Sequence, residues 1–331
     1  MSVKPQKEKS NRRVKKMSVK IYIDGQEGTT GLKILERFEG RNDIELLRIS
    51  EDKRKDPSER ARLINMSDYT FLCLPDAASV EAVSFIDNDH VRIIDASTAH
   101  RTNPDWAYGF PELSAAHHEK IRTSNRVANP GCYASGFISL VYPLVQAGVL
   151  PEEYPLTCHA VSGYSGGGKK MIAVLEGEDK PYECNSPRQY ALAQKHKHLP
   201  EMQKICGLKY APMFNPIVDD YYSGMVVTVP LISRALSKKY TAENIHEILS
   251  AHYEGQYFVK VKEFGGTETL PDGFLAANTL AGTNNMQIFV CGNDEQILLC
   301  SRLDNLGKGA SGAAVQCLNI MMGVDETTGL I

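Results

Sequence analysis

The chain has 331 residues, 42% of them hydrophobic and 23% charged, with a formal net charge of −3. That length accommodates two domains with separate cores, and the mild negative charge argues against general nucleic-acid or anionic-membrane binding. No apolar run approaches the ~20 residues of a membrane helix and no secretory segment is evident, so a cytoplasmic protein acting on a small molecule is expected.

Residues 1–18 carry seven Lys and Arg against the single Glu8, a charge of +6 that leaves −9 for the rest. With little apolar content, they read as a disordered basic tail. The alternation of Val19, Ile21 and Ile23 with polar residues predicts a strand. It runs into Gly25-Gln26-Glu27-Gly28-Thr29-Thr30-Gly31, followed by Leu32, Ile34, Leu35 and Phe38 at helical spacing. Strand, glycine turn and helix in that order let a backbone approach a pyrophosphate at a helix N-terminus. Gly25, Gly28, Thr29, Thr30 and Gly31 are therefore candidate dinucleotide ligands, with a tight structural turn as the alternative.

A second strand, Ile44–Ile49, ends at Ser50, where many NAD sites carry an acid for the ribose 2′-OH. Ser50 and the nearby Lys53-Arg54-Lys55 suit a 2′-phosphate, which favours NADP; Glu51 and Asp52 oppose it, and a solvated loop is the bland reading. A helix from Pro57 to Met66, a strand over residues 69–74, a helix over 77–85 and a strand over 91–95 continue the alternation. This rhythm predicts a parallel sheet covered on both faces, with ligands off the strand carboxyl ends. Leu74, Pro75 and Ser97 are placed there.

Asn129-Pro130-Gly131-Cys132 then opens a helix-compatible run through Val145. A thiol at a helix N-terminus is a candidate nucleophile, since free amides and the macrodipole lower its pKa from ~8.5. Cys132 is one of eight cysteines without a CxxC pair, which read as reduced thiols. Further on, Ser162-Gly163-Tyr164-Ser165-Gly166-Gly167-Gly168-Lys169-Lys170 makes a plausible anion nest, with a flexible turn as the alternative. In His196-Lys197-His198-Leu199-Pro200-Glu201, His198 and Glu201 are three apart, within mutual reach on a helix, and suit a general base oriented by a carboxylate. No third ligand accompanies the two histidines, so no metal is expected. Strands at 225–229, 258–261, 287–291 and 296–301, with one helix over 241–253, predict an antiparallel-rich α+β domain. Small residues down a final helix suit close packing on the first domain.

Five blocks in order, GQEGTTG (25–31), DASTAHR (95–101), NPGCYAS (129–135), SGYSGGGK (162–169) with HKHLPEM (196–202), and DNLGKGASGAAVQ (304–316), give the chain from Val19 onward a resemblance to the N-acetyl-gamma-glutamyl-phosphate reductases, in particular the shorter bacterial form. Ala134 stands where many relatives have proline, and Gly167-Gly168 replaces the Ala-Gly of the long form. The resemblance implies a Rossmann-like NADP-binding domain over 19–131, completed by a C-terminal helix over 305–331. It also implies a catalytic and dimerisation domain of the semialdehyde-dehydrogenase type over 132–304. The implied reaction, in arginine biosynthesis, is NADPH-dependent reduction of N-acetyl-L-glutamate 5-phosphate to the 5-semialdehyde through a Cys132 thioester. His198, oriented by Glu201, is the expected acid/base ahead of its rival His196, and Asn129 and the Cys132 N–H are candidate oxyanion donors. Asn305 is expected near the nicotinamide. Arg101, Ser162, Tyr164, Ser165, Lys169 and His196 are expected to hold the substrate's phosphate and carboxylate. A homodimer or homotetramer is implied. Aspartate-semialdehyde dehydrogenase and a non-catalytic nucleotide sensor are the alternatives.

Overall fold

The computed structural model describes residues 18–265, 268 and 270–331; residues 1–17 of the expected basic tail lie outside them. The first half alternates strands and helices: β1 (Val19–Asp24), α1 (Thr29–Arg37), β2 (Ile44–Leu47), α2 (Pro57–Met66), β3 (Tyr69–Leu72), α3 (Asp76–Ser84), β4 (Arg92–Asp95), β5 (Ala107–Tyr108), α4 (Ala115–Thr123) and β6 (Arg126–Ala128). The six strands pair in parallel in the order β2-β1-β3-β4-β6-β5. The period of two along each strand decides what each face buries. Ile21, Ile23, Phe71 and Ile94 pack with Ile34 of α1, while Tyr22, Leu72 and Ile93 pack with Leu63 and Ile64 of α2 and Ala82 of α3. Pro57 occupies the first position of α2 behind Asp56, whose side chain accepts the N–H groups of Ser58 and Glu59.

The second half comprises α5 (Cys132–Gln146), β7 (Thr157–Gly163), α6 (Gly168–Glu176), β8 (Arg188–Gln189), α7 (Leu199–Cys206), β9 (Met213–Asp219), β10 (Met225–Ile232), α8 (Ala242–His252), β11 (Val259–Val261), β12 (Met286–Gly292), β13 (Gln296–Leu303) and α9 (Gly312–Met322). Its seven-stranded sheet, ordered β11-β12-β13-β10-β7-β9-β8, mixes parallel and antiparallel pairs. One face carries Ala160, Phe214, Val227, Val229 and Leu299 into a core with Phe137, Ile138 and Val141 of α5 and Ile245 and Leu249 of α8. α5 is buried almost all round, which matches its continuous apolar sequence. The opposite face is open, and Val161, Met213, Ile217, Val226, Ile232 and Leu298 are partly or largely exposed on it. α9 returns to the first sheet, where Ala314, Val315 and Leu318 share a cluster with Ile23 and Phe71.

The α/β sheet and the α+β second domain are as read from the sequence. Several local features differ. β5, α4, β6, β8 and β9 lie in stretches for which no element was expected. The serine-glycine stretch is a short 3-10 turn, Tyr164–Gly167, leading into α6. The final helix, expected over 305–331, begins with a π-turn over Gly307–Ser311 and ends at Met322, where Gly323 takes a left-handed conformation.

Candidate active site

The carboxyl ends of β1, β3 and β4 face the N-terminus of α5 and the turns that follow β7 and β13. Between them lies a cavity of about 450 Å³. Gly28, Thr29, Thr30, Cys73 and Leu74 line one end of it. Arg101, Asn129, Gly131, Cys132, Ser162, Ser165, His196, Lys197, His198 and Asn305 line the rest. A second cavity of about 460 Å³ shares Gly28, Cys73 and Leu74 and adds Gly25, Arg54, Lys55 and Pro75.

Gly25 has φ +85°, and a Cβ added there would lie 2.4 Å from the Cys73 carbonyl oxygen, so only glycine lets β1 turn this closely past β3. Gly28 stands as N-cap of α1 and brings no capping side chain, which leaves the first amides of the helix for a ligand. An elongated pair of cavities joined at an open helix N-terminus fits a dinucleotide with its pyrophosphate at Gly28–Thr30. Gly31 contributes differently. It is buried inside α1, where a Cβ would press on the Gly25 carbonyl at 2.7 Å, so it packs the helix against the turn.

Cys132 is the first residue of α5, behind the extended N-cap Gly131. Burial pushes its thiol up to about 11, while the Tyr133 backbone N–H and the Arg101 guanidinium pull it down. The lowered thiol expected from a helix start is thus corrected: in the free protein desolvation outweighs the helix amides. Part of the residue remains on the cavity, where a bound partner can take its proton.

His198 sits at the N-cap of α7, 5% exposed, and its Nδ1 is buried with no hydrogen-bond partner among the described residues. A Cβ added at Gly131 would lie 2.3 Å from His198 Nε2 and 2.5 Å from Arg101 Nη1, so both groups press on the backbone just ahead of Cys132. Burial, then Arg101, His196 and Lys197, hold the His198 imidazole well below its usual range, which keeps it neutral and able to accept a proton. His196 lies beside it, with ring centroids 4.7 Å apart, and its Nδ1 accepts the His198 backbone N–H at 3.1 Å. Burial, Lys197 and Arg101 lower His196 to about 4.

The expected His198–Glu201 pair does not form. Both Glu201 oxygens are engaged elsewhere: Oε1 accepts the Tyr108 hydroxyl at 2.8 Å and the Gly131 N–H at 2.9 Å, and Oε2 accepts Arg101 Nη1 at 3.1 Å. Three-residue spacing put Glu201 one turn into α7, but the helix aims it beneath the Gly131 turn. Arg101 is held further by the carbonyls of Asn129 at 2.9 Å and Ala96 at 3.0 Å. Asn129 donates its Nδ2 to the Ala310 carbonyl at 3.0 Å, and its Oδ1 is buried without a partner among the described residues. Asn305 donates to Ser165 Oγ at 2.9 Å and accepts the Gly224 N–H at 2.8 Å.

Four other residues singled out in the sequence lie off both cavities. Ser50 is exposed and opens the 3-10 turn Glu51–Lys53. Ser97 is folded back, its hydroxyl on Asp95 Oδ2 at 2.7 Å. Tyr164 turns its hydroxyl to Glu176 at 3.2 Å and packs with Leu175 and Val218. Lys169 is exposed on α6, because Gly168 starts that helix where a continued loop was expected. Lys197, passed over between two histidines, is the cation that lines the cavity in its place. Tyr108 carried no sequence signal, and Gly309 and Ala310 stood out only as part of the block DNLGKGASGAAVQ.

The semialdehyde dehydrogenase NAD binding domain model matches residues 20–121, and the semialdehyde dehydrogenase dimerisation domain model matches 132–305. Among solved structures, aspartate semialdehyde dehydrogenase II from Vibrio cholerae, complexed with ASA, superimposes with a TM-score of 0.67 at 17% identity, covering 93% of this chain and 99% of that one. That likeness is one of fold. Among curated relatives, N-acetyl-gamma-glutamyl-phosphate reductase 2 of Nostoc sp. is 48% identical over 323 residues, 94% of this chain and 99% of the relative. The N-acetyl-gamma-glutamyl-phosphate reductase of Burkholderia lata is 49% identical over 308 residues, 92% and 97% of the two chains. With near-complete coverage at that identity, the chain belongs to the N-acetyl-gamma-glutamyl-phosphate reductases, within the semialdehyde dehydrogenases.

Proposed function

We propose that the protein reduces N-acetyl-L-glutamate 5-phosphate to the 5-semialdehyde with release of phosphate, in arginine biosynthesis. The observation that carries this is the charge of the cavity wall: Arg101 and Lys197 line it and, among the described residues, no Asp or Glu does. Such a wall suits an acyl phosphate that carries a phosphate and a carboxylate and whose α-amine is capped by an acyl group. A substrate with a free ammonium, such as aspartyl phosphate, finds no counter-charge there. Tyr190, Met171 and Val218 add apolar surface that suits the acetyl methyl.

Cys132 attacks the acyl carbonyl and phosphate departs, leaving a thioester on Sγ. His198, neutral in the free protein, takes the thiol proton as Sγ attacks. The Cys132 N–H and the remaining Asn129 amide hydrogen are the oxyanion donors, and Arg101 with Lys197 holds the phosphate and the α-carboxylate. Gly28–Thr30, Leu74 and Pro75 hold the dinucleotide. When bound, its nicotinamide supplies the hydride that reduces the thioester carbonyl. His198 gives its proton to the oxygen of the resulting thiohemiacetal and takes it back as the carbonyl re-forms, the aldehyde leaves and Sγ departs as the thiolate. Arg54 and Lys55 on the second cavity suit a 2′-phosphate, hence NADP, although Asp24, Glu27 and Glu51 line it as well. Self-association is expected through the open sheet face around Val226 and Ile232, as a homodimer or a pair of such dimers.

The deciding assay is phosphate-dependent NADP reduction with N-acetylglutamate 5-semialdehyde beside aspartate semialdehyde. Turnover of the acetylated compound alone is expected; turnover of the aspartate compound alone overturns the substrate assignment.

A further inference from the structure

The floor beneath the nucleophile is the π-turn Gly307–Ser311. A Cβ added at Gly309 would lie 2.7 Å from Cys132 Cβ and 3.2 Å from Cys132 Cα, so the turn's backbone is in direct contact with the start of α5. The next residue, Ala310, gives its carbonyl to Asn129, and Leu306, Gly309 and Ala310 all face the cavity. π-Turns inside helices are uncommon and recur at functional sites. This one is tied down by the long side chain it carries.

Lys308 is 2% exposed. Its Nζ donates to Glu112 Oε1 and to Gln316 Oε1, each at 2.6 Å. The ammonium lies 5.1 Å from the Phe110 ring centroid and 5.8 Å from that of Phe258. Gln316 closes the triangle by donating its Nε2 to Glu112 Oε1 at 2.9 Å. Glu112 comes from the turn after β5, Phe258 from the approach to β11, and Gln316 from α9, so the cluster joins distant parts of the chain behind the cysteine. Burying a charged pair is a poor route to stability, since an apolar set of similar volume does as well or better. What such a pair fixes is geometry.

We infer that Lys308, Glu112 and Gln316 are positioning residues: they hold the π-turn so that its Gly309–Ala310 backbone sets the place of Cys132 and Asn129. None of the three lines the cavity. Their effect is exerted through the turn, on the rate of the chemical step and not on substrate binding. The inference rests on Cys132 as the nucleophile, and one readout of the test is independent of any substrate.

The test uses Lys308→Met/Glu112→Leu, which removes both charges together and strands neither, and Gly309→Ala, which keeps the cluster and disturbs its output. Folding is checked by circular dichroism and size exclusion. Alkylation of Cys132 by iodoacetamide is followed by peptide mass mapping in enzyme free of dinucleotide, and turnover is measured separately. A displacement of the reacting group by an ångström costs up to roughly 10²-fold. Each variant is therefore expected to lose roughly 10- to 100-fold in kcat with KM changed less than about twofold, and to alkylate Cys132 at a rate altered at least about threefold. Wild-type kcat and wild-type alkylation in either folded variant overturn the inference. So does a kcat loss that comes with unaltered Cys132 alkylation. Should the wild-type enzyme reduce neither semialdehyde, the substrate reading fails, while the alkylation comparison still judges the positioning role.

Discussion

Two strand–turn–helix units lie on the cavity, and they differ in who satisfies the helix start. α1 and α5 both open behind an extended glycine N-cap, Gly28 and Gly131, that offers no side chain of its own. At α1 the neighbouring residues face open cavities. At α5 the protein supplies a carboxylate itself, because buried Glu201 takes the Gly131 N–H and anchors Tyr108 and Arg101 as well. On the proposed function, the first turn receives an anion, and the second is held so that the next amides, at Cys132 and Tyr133, are left for the sulfur and for a developing oxyanion.

The sharpest division between the two turns is expected from Cys132→Ser. Reduction should fall by roughly 10³-fold or more, the scale of losing a covalent nucleophile. Binding of NADP, read by fluorescence titration, should be unchanged because α1 is untouched. Retained turnover breaks the assignment of the α5 turn as the reacting one. Next in size is Glu201→Gln. Leaving the buried Arg101 without its partner should cost about 3–5 kcal/mol of stability, and a folded fraction should lose kcat as the Gly131 turn relaxes. A variant as stable and as active as the parent would remove the distinction drawn here.

Much of this contrast is written in the residues, and some is not. Local order along the chain marks strands, glycine turns and the cysteine at a helix start, because each rests on neighbours within one turn of backbone. Glu201 shows where that stops. Its spacing from His198 fits a pair, yet the carboxylate's partners are Tyr108, Gly131 and Arg101, contributed from 70 to 100 positions earlier. Cys132 shows the same limit in electrostatics: a helix start predicts a lowered thiol, and only the packed environment reveals that burial outweighs it. Ser97 and Tyr164 belong to the right loops, but Ser97 spends its hydroxyl on Asp95 two residues back and Tyr164 on Glu176 at the far end of α6. Lys197 was in plain view between two histidines, and only the folded cavity distinguishes it from Lys169.

At the receiving end, Arg54→Ala should raise the KM for NADPH by roughly tenfold, the loss of about one charge-assisted contact, and leave the KM for NADH nearly unchanged. Equal effects on both cofactors would mean that Arg54 does not touch a 2′-phosphate. The nucleophile's turn should be indifferent, with kcat at saturation preserved.

The smallest effect separates the turns by pH. In the free protein the Cys132 thiol is raised from its usual 9.0 to about 11, so its thiolate is scarcer than that of an exposed cysteine at every pH below that value. Its alkylation should keep accelerating beyond pH 9 and level off only near 11. His196 moves the other way, from 6.5 to about 4. Its neutral form is favoured by the fold, so the unfolded chain binds the extra proton between those values. The stability it contributes is complete above about pH 6.5 and is lost as pH falls toward 4. Replacing His196 with Gln should flatten the acid side of the denaturation profile over that window and leave dinucleotide binding at α1 as it was. An acid limb of unchanged slope would move the pH sensitivity away from the cysteine's surroundings, to His198 or to carboxylates elsewhere.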